Sequence, residues 1–215
     1  MVAVFCDFLI YGIEFSRILW HNDKRIQREG LFVRVITGSA RGRRLETPPG
    51  EETRPTSEKV KESLFSAIQF DIEGRRVLDL FAGSGQLGIE ALSRGAASCV
   101  FVDRSTECVQ LIRRNLQHTD LAAHAQVVGT DALSYLTRPK ERFDLVFLDP
   151  PYAADLLLPA LEKVAPLVND GGIIVCETDD TANLPERVDR FALGRTYRFG
   201  RIHVWVYRYT AEEDV

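Results

Sequence analysis

The stretch Arg76-Val77-Leu78-Asp79-Leu80-Phe81-Ala82-Gly83-Ser84-Gly85-Gln86-Leu87-Gly88-Ile89-Glu90-Ala91 decides the fold. Val77 to Phe81 is a short apolar run broken by one acid, the pattern of a buried parallel strand with a functional end. Glycines follow at 83, 85 and 88, and a helical run, Leu87 to Leu92, begins at once. Strand, glycine-rich turn and helix make a unit that lets a ligand approach backbone N–H groups at a helix start. The spacing Gly83-x-Gly85-x-x-Gly88, with Asp103 twenty residues past the first glycine, fits the dinucleotide fingerprint. The plain alternative is a glycine-rich turn that closes a tight βα connection without any ligand.

Two ligand classes share this geometry, and Asp79 discriminates between them. A pyrophosphate there would meet a fixed negative charge, costing a few kcal/mol at contact for an effective dielectric of about 20. A ligand with an ammonium and a sulfonium is attracted instead. S-adenosylmethionine is such a ligand, and its ribose hydroxyls need an acid, a role that Asp103 can fill.

Outward from this unit the alternation is regular. Strands are expected at 76–81, 98–103, 125–129, 143–148 and 173–177, and helices at 86–94, from the Ser105 cap to about 117, to Leu136, and at 154–164. Repeated βα units mean a parallel sheet with helices on both faces. Arg187 to Tyr209 reads as two strands joined at Gly200, an antiparallel hairpin. Upstream, Arg34 to Leu45 reads as a hairpin turning between Gly38 and Gly42. Thr47 to Thr53 is turn-rich, and a helix capped by Thr56 or Ser57 carries Val60, Leu64, Phe65 and Ile68 inward.

A chain of 215 residues with 45% hydrophobic composition can bury a sizeable core. The net charge of −4 excludes a uniformly basic nucleic-acid binder, but charge is uneven. Arg34, Arg41, Arg43 and Arg44 share a segment without acids, as do Arg195, Arg198, Arg201 and Arg208. Such patches suit a phosphate-bearing partner, against the plain reading of two solvated basic faces. Cys99 and Cys176 lie in apolar runs and no C-x-x-C occurs, which points to buried free thiols and a reducing cytoplasm. The four histidines form no close pair, so no metal site is expected, and no apolar run is long enough to span a bilayer.

A second site is expected at Asp149-Pro150-Pro151-Tyr152, directly after a buried strand. Open α/β sheets bind ligands at such strand ends. Two prolines fix φ and remove two donors, leaving a rigid corner with free carbonyls. Asp149 and the Pro150 carbonyl can both accept from one exocyclic NH₂, while Tyr152 stacks on the ring that bears it. The amine's lone pair is delocalised into its base, so two acceptors that orient it and relieve its developing charge promote transfer. Asp-Pro is also a common strand-ending turn, which is the alternative reading.

Together, Asp79-Leu-Phe-Ala-Gly-Ser-Gly85 and Asp149-Pro-Pro-Tyr152 resemble an S-adenosylmethionine-dependent amino-methyltransferase. The run from Arg34 onward resembles the bacterial RsmD-like family, which methylates N2 of guanine 966 in 16S ribosomal RNA. The resemblance rests on Arg34-Val-Ile-x-Gly-x-Ala-x-Gly-Arg43, Arg54-Pro-Thr56 and Leu80-Phe-Ala-Gly-Ser-Gly-x-Leu-Gly-Ile-Glu-Ala-Leu-Ser-Arg-Gly95, and covers about 34 to 209. It implies a Rossmann-like class I methyltransferase sheet of seven strands, mostly parallel. Cofactor contacts implied are Asp79, Phe81, Gly83, Ser84, Gly85, Gly88, Asp103 and Arg104, with Asp131-Ala132 flanking the adenine. Arg34, Arg41, Arg43, Arg44, Arg54 and Thr56 would hold RNA. The implied partner is ribosomal RNA in an assembling small subunit, met by a cytoplasmic monomer without membrane contact.

The resulting organisation is a basic hairpin at 33–53, a methyltransferase domain at 54–209 and a tail at 210–215. Residues 1–32 have no counterpart in the resemblance. Arg28-Glu29-Gly30 can be encoded by a ribosome-binding-like stretch shortly before Val33, so a misplaced start and an amphipathic helix are the two readings. Rival functions are an N6-adenine or N4-cytosine DNA methyltransferase, disfavoured by the lack of a large target-recognition insert, and an NAD(P)-dependent oxidoreductase, disfavoured by Asp79. A non-catalytic RNA-binding module is disfavoured by the intact acids Asp79, Asp103 and Asp149.

Overall fold

A computed structural model of the chain describes residues 33–48, 56–137, 141–151, 155–179 and 182–211. The readings of residues 1–32, Arg54, Tyr152 and the Thr56 side chain lie outside the described residues.

The central sheet takes β3 (Arg76–Asp79), β4 (Ser98–Asp103), β5 (Ala125–Gly129), β6 (Phe143–Leu148), β7 (Val168–Asp179), β8 (Arg187–Val188), β9 (Phe191–Phe199) and β10 (Ile202–Tyr209). Their order is β5-β4-β3-β6-β7-β10-β9-β8. The first five are parallel, and β10 and β9 add antiparallel strands. Among the described residues the sheet thus has eight strands, because the first strand of the expected hairpin is split: Arg187 and Val188 turn back to pair with β9 as a two-residue edge. The strand expected at 76–81 ends at Asp79, where the chain leaves the sheet for the glycine turn, and β7 starts five residues before the expected Ile173.

Among the described residues five helices cover the sheet: α1 (Thr56–Ala67), α2 (Gln86–Ser93), α3 (Thr106–His118), α4 (Ala132–Leu136) and α5 (Leu157–Val164). The last begins later than the expected 154. Ser105 caps α3 as expected, its Oγ accepting from the Cys108 amide at 3.3 Å. Val60, Leu64 and Phe65 of α1 and Ile68 just after it are buried with Ile89 and Leu92 of α2 and Ile112 and Leu116 of α3 on one sheet face. The other face buries Leu136 of α4 and Ala160, Leu161 and Val164 of α5 against Leu78, Val146 and Ile174. Phe65 is fully buried, its ring 5.6 Å from that of Phe147, and each such phenylalanine contributes about 1.5–3 kcal/mol by burial.

The N-terminal hairpin is small: β1 (Val33–Arg34) pairs with β2 (Arg44–Leu45) outside the main sheet. Two residues per strand cannot hold a hairpin in place unaided. Its attachment comes instead from Val33, Val35, Ala40 and Leu45, buried in the core beneath α1 and α2, and from polar clamps described below. Cys99, Cys108 and Cys176 are free thiols, the first and last buried.

Candidate functional site

Chain order reverses in the sheet between β3 and β6. After β3 the chain moves outward through β4 and β5, then returns to β6 on the other side. The carboxyl ends flanking that reversal form a crevice, which is where open α/β sheets bind ligands. Register places three acids there. Asp79 is opposite Phe101 on β4 and Phe147 on β6, so Asp103 and Asp149 each stand two residues farther along the strands beside it. The two widely separated motifs of the sequence therefore meet at one edge.

Asp79 is 2% exposed, and its Oδ2 accepts the Gly88 amide at 3.0 Å. Its pKa is raised to about 7, chiefly by burial, with the Gly88 hydrogen bond opposing the rise and the nearby Asp103 charge adding to it. Asp103 is half-buried and uses both oxygens: Oδ2 accepts from Gly83 N–H at 2.9 Å and Oδ1 from Ser105 N–H at 2.8 Å. Those bonds fix the carboxylate while leaving each oxygen a further lone pair for a hydroxyl donor. Arg104 beside it is exposed.

The three glycines prove to have different tasks. Gly83 sits at φ +54°, and a Cβ there would meet nothing within 4 Å, so the turn is open on that side. A Cβ on Gly85, at φ +78°, would press on Ile112 and Ile89 at 3.3–3.4 Å. At Gly88 it would lie 2.3 Å from Phe101 and 2.7 Å from Cys99, so Gly88 is the close contact of α2 with β4. Its N–H donates to Asp79, and its lack of a side chain serves packing. Ser84 is also buried, and its carbonyl accepts from Asn115 Nδ2 at 2.9 Å.

Phe81 packs partly buried against the α4–α5 side of the core. Asp131 caps α4, Oδ1 accepting from Ser134 N–H at 2.9 Å, and Ala132 behind it is buried. Asp149 is half-buried, Pro150 buried and Pro151 exposed, so the corner turns outward after Asp149. Among the described residues no group of three or more His, Cys, Asp or Glu could hold a metal ion.

The arginines of the N-terminal hairpin divide. Arg34 pairs with Glu58 at 3.3 Å, and Arg43 pairs with Asp120 at 2.8 Å and donates to the His118 carbonyl. Arg41 is exposed, without an ion-pair partner among the described residues. Arg34 and Arg43 thus each have a carboxylate partner on their own chain, in pairs that remain partly exposed.

Three residues that sequence reading passed over hold this region together. Glu90, fully buried on α2, accepts from the Ile36 and Thr37 amides at 2.8 and 3.0 Å and pairs with Arg94 at 2.8 Å and Lys61 at 3.7 Å. Ser93 Oγ donates to the Thr37 carbonyl and accepts from the Ala40 amide. Asn115, 1% exposed, accepts from Glu46 N–H at 2.9 Å and donates to the Glu46 and Ser84 carbonyls. One amide thus ties the hairpin's exit strand to the glycine turn. A usable signal was present: Glu90 and Asn115 each interrupt an apolar helical face, where a polar group must find partners.

The family model described as Conserved hypothetical protein 95 matches residues 33–208. "Putative rRNA methyltransferase YlbH" of Bacillus subtilis is 43% identical over 181 residues, 82% of this chain and 98% of that protein. Ribosomal RNA small subunit methyltransferase D of Escherichia coli is 34% identical over 188 residues, 85% and 92% of the two. The solved structure titled "Putative methyltransferase yhhF from Escherichia coli" superposes with a TM-score of 0.74 at 32% identity, covering 84% of this chain and 99% of that one.

Proposed function

The chain belongs to the family described as Conserved hypothetical protein 95, and we propose on that footing that it methylates the exocyclic N2 of a guanine in 16S ribosomal RNA, with S-adenosylmethionine as cofactor. The observation that carries this is the register of the three acids: Asp103 and Asp149 on neighbouring strands, each two residues beyond buried Asp79. The relatives reported above are named for RNA methylation, which leaves the DNA-methyltransferase and oxidoreductase readings without support.

The residues fit the cofactor. Open space beside Gly83 and two carboxylates offer room, a partner for a cation and acceptors for ribose hydroxyls. When bound, S-adenosylmethionine supplies an electrophilic methyl group on a sulfonium. Asp79, with only one amide partner, favours an ammonium close by. Asp103, oriented by Gly83 and Ser105, accepts the ribose hydroxyls, with Arg104 beside it and Phe81, Ser84 and Gly85 shaping the turn. Asp131 and Ala132 stand at the start of α4 to bound the adenine.

Asp149 and the Pro150 carbonyl accept the two N–H groups of the target amine, orient its lone pair, and relieve the positive charge that grows on nitrogen. The Pro150-Pro151 corner keeps those acceptors rigid, so no reorganisation is needed during reaction. Tyr152 is assigned the stacking of the guanine ring, and Arg41 and Arg44 with Arg54 the RNA backbone. The finer proposals are guanine 966 as the target, an assembling small subunit as the substrate and a monomer as the acting species.

Asp149→Ala tests the mechanism. S-adenosylhomocysteine affinity by calorimetry should stay near wild type, while methyl transfer into 16S RNA or small subunits falls by about a hundredfold or more. Activity within about threefold of wild type would reduce Asp-Pro-Pro to a turn.

A further inference from the structure

Between α1 and β9 lies a groove of about 630 Å³, lined by Glu62, Ser63, Ser66 and Ala67 on the helix and Arg195, Tyr197 and Phe199 on the strand. Its shape follows from side-chain size. The buried face of α1 carries Val60, Leu64 and Phe65, but the flank toward β9 has Ser63, Ser66 and Ala67, too small to fill the space. On β9, Arg195, Tyr197 and Phe199 alternate with Thr196 and Arg198 and so share one face. Tyr197 and Phe199 rest partly buried on the core, and the Arg195 guanidinium stacks over the Tyr197 ring at 5.6 Å. Arg198 and Arg201 are exposed at the hairpin tip, and no acid occurs from Phe191 to Tyr209. Glu62 is the one acid among the lining residues.

Register ties this groove to the reacting corner. Leu148, Cys176, Trp205 and Thr196 form one row across β6, β7, β10 and β9. The next row outward contains Asp149, Glu177, Val204 and Tyr197, since β9 runs parallel to β6. Three strand spacings separate Asp149 from Tyr197, roughly 14 Å. Phe199 lies two residues farther toward the carboxyl edge. An aromatic pair with an arginine is thus displaced sideways from the target amine by a distance that a few nucleotides of extended strand can span.

We propose that the α1–β9 groove holds single-stranded RNA flanking the target guanine, with Tyr197 and Phe199 as a base-stacking platform and Arg195 beside them. It rests on the RNA-methyltransferase reading above and adds where the substrate's flank runs. Stacking serves this task because every base has a π-face, and aromatic platforms with arginine are how proteins hold single strands without reading sequence. The flank would also help offset the cost of extracting the guanine from its helix.

The test uses full-length protein and whichever of 16S RNA or small subunits the wild type methylates, together with a labelled single-stranded oligoribonucleotide read by fluorescence anisotropy. Ser66→Glu puts a negative charge into the groove from an exposed helical position, and Arg195→Ala removes the stacked cation. Both should raise the oligonucleotide Kd and the RNA KM by about tenfold, with kcat and S-adenosylhomocysteine affinity held. Tyr197→Ala should do the same and Tyr197→Phe should restore binding, a pattern that a packing role confined to the core would not produce in folded variants of equal Tm. Wild-type KM and Kd in Ser66→Glu and Arg195→Ala would overturn the groove while leaving the methyltransferase reading standing. A wild type that transfers no methyl group to any RNA or subunit would overturn that reading and the groove with it.

Discussion

Two carboxylates are buried within the same β3–α2 unit, and their surroundings differ. Glu90 has two backbone amides, Arg94 and Lys61 around it. Asp79 has one amide, from Gly88, and a second acid, Asp103, close enough to raise its pKa further. A buried charge with a full set of partners is a clamp, whereas one left short of partners stores unfavourable energy that a cationic ligand can relieve. Glu90 fastens the N-terminal hairpin to the domain, and Asp79 is the acid proposed above to face the cofactor's ammonium. Lys61 shows the same clamp from the other side. Burial lowers its pKa, and the charges of Glu90 and Glu58 oppose that fall.

The largest effect should come from breaking the clamp. Glu90→Ala leaves Lys61 buried without its charge partner and two hairpin amides without acceptors, and should cost about 3–5 kcal/mol. A fall in Tm of many degrees, with increased proteolysis near residues 36–46, is the expected reading. A loss under about 1 kcal/mol would mean that the hairpin is held by its apolar contacts alone.

Asp79 should behave oppositely. Its folded pKa is about 7 against an ordinary 3.8, so between those values the folded protein keeps a proton there that the unfolded chain has released. Below about pH 4 both states are protonated and the group is neutral in the balance; between 4 and 7 stability without ligand declines as pH rises; above 7 the full penalty stands. The total is on the order of 4 kcal/mol. Asp79→Asn should flatten that slope in denaturant titrations and raise ligand-free stability at pH 8. In the wild type, S-adenosylhomocysteine affinity should rise from pH 5.5 to 7 with release of a proton, seen by calorimetry in two buffers. Equal slopes in wild type and Asp79→Asn would show that Asp79 is not the titrating group.

The contrast extends, more weakly, to surface cations. Arg43 is paired with Asp120, and Arg41 lacks an ion-pair partner among the described residues. Arg41→Ala should lower the log–log salt slope of RNA binding by roughly 0.7–0.9, the worth of one phosphate contact, and Arg43→Ala by less. Larger loss at Arg43 would mean that RNA displaces Asp120, reversing the assignment.

Much was legible in the chain. The βα alternation, the Ser105 cap, the α1 core residues and the Gly200 turn are local, set by periodicity and backbone preference over a few residues, and they appear where expected. Both acidic motifs were visible because chemistry-bearing residues at strand ends interrupt apolar runs. Gly83 and Gly88 look alike in sequence, yet one faces open space and the other Phe101, thirteen residues away along the chain. Strand order, too, is not in the periodicity, and it alone brings Asp79, Asp103 and Asp149 together at one edge.

The sequence by itself determined the elements, the apolar faces and the identity of the acids, because these depend on residue type and short-range spacing. Only the tertiary structure decided which charges are compensated. Glu90 meets amides from residues more than fifty positions earlier, and Asn115 meets Glu46 from sixty-nine positions away. Whether a buried polar group is a clamp or a site depends on partners that distant segments deliver, and electrostatics in a desolvated core makes that difference worth several kcal/mol.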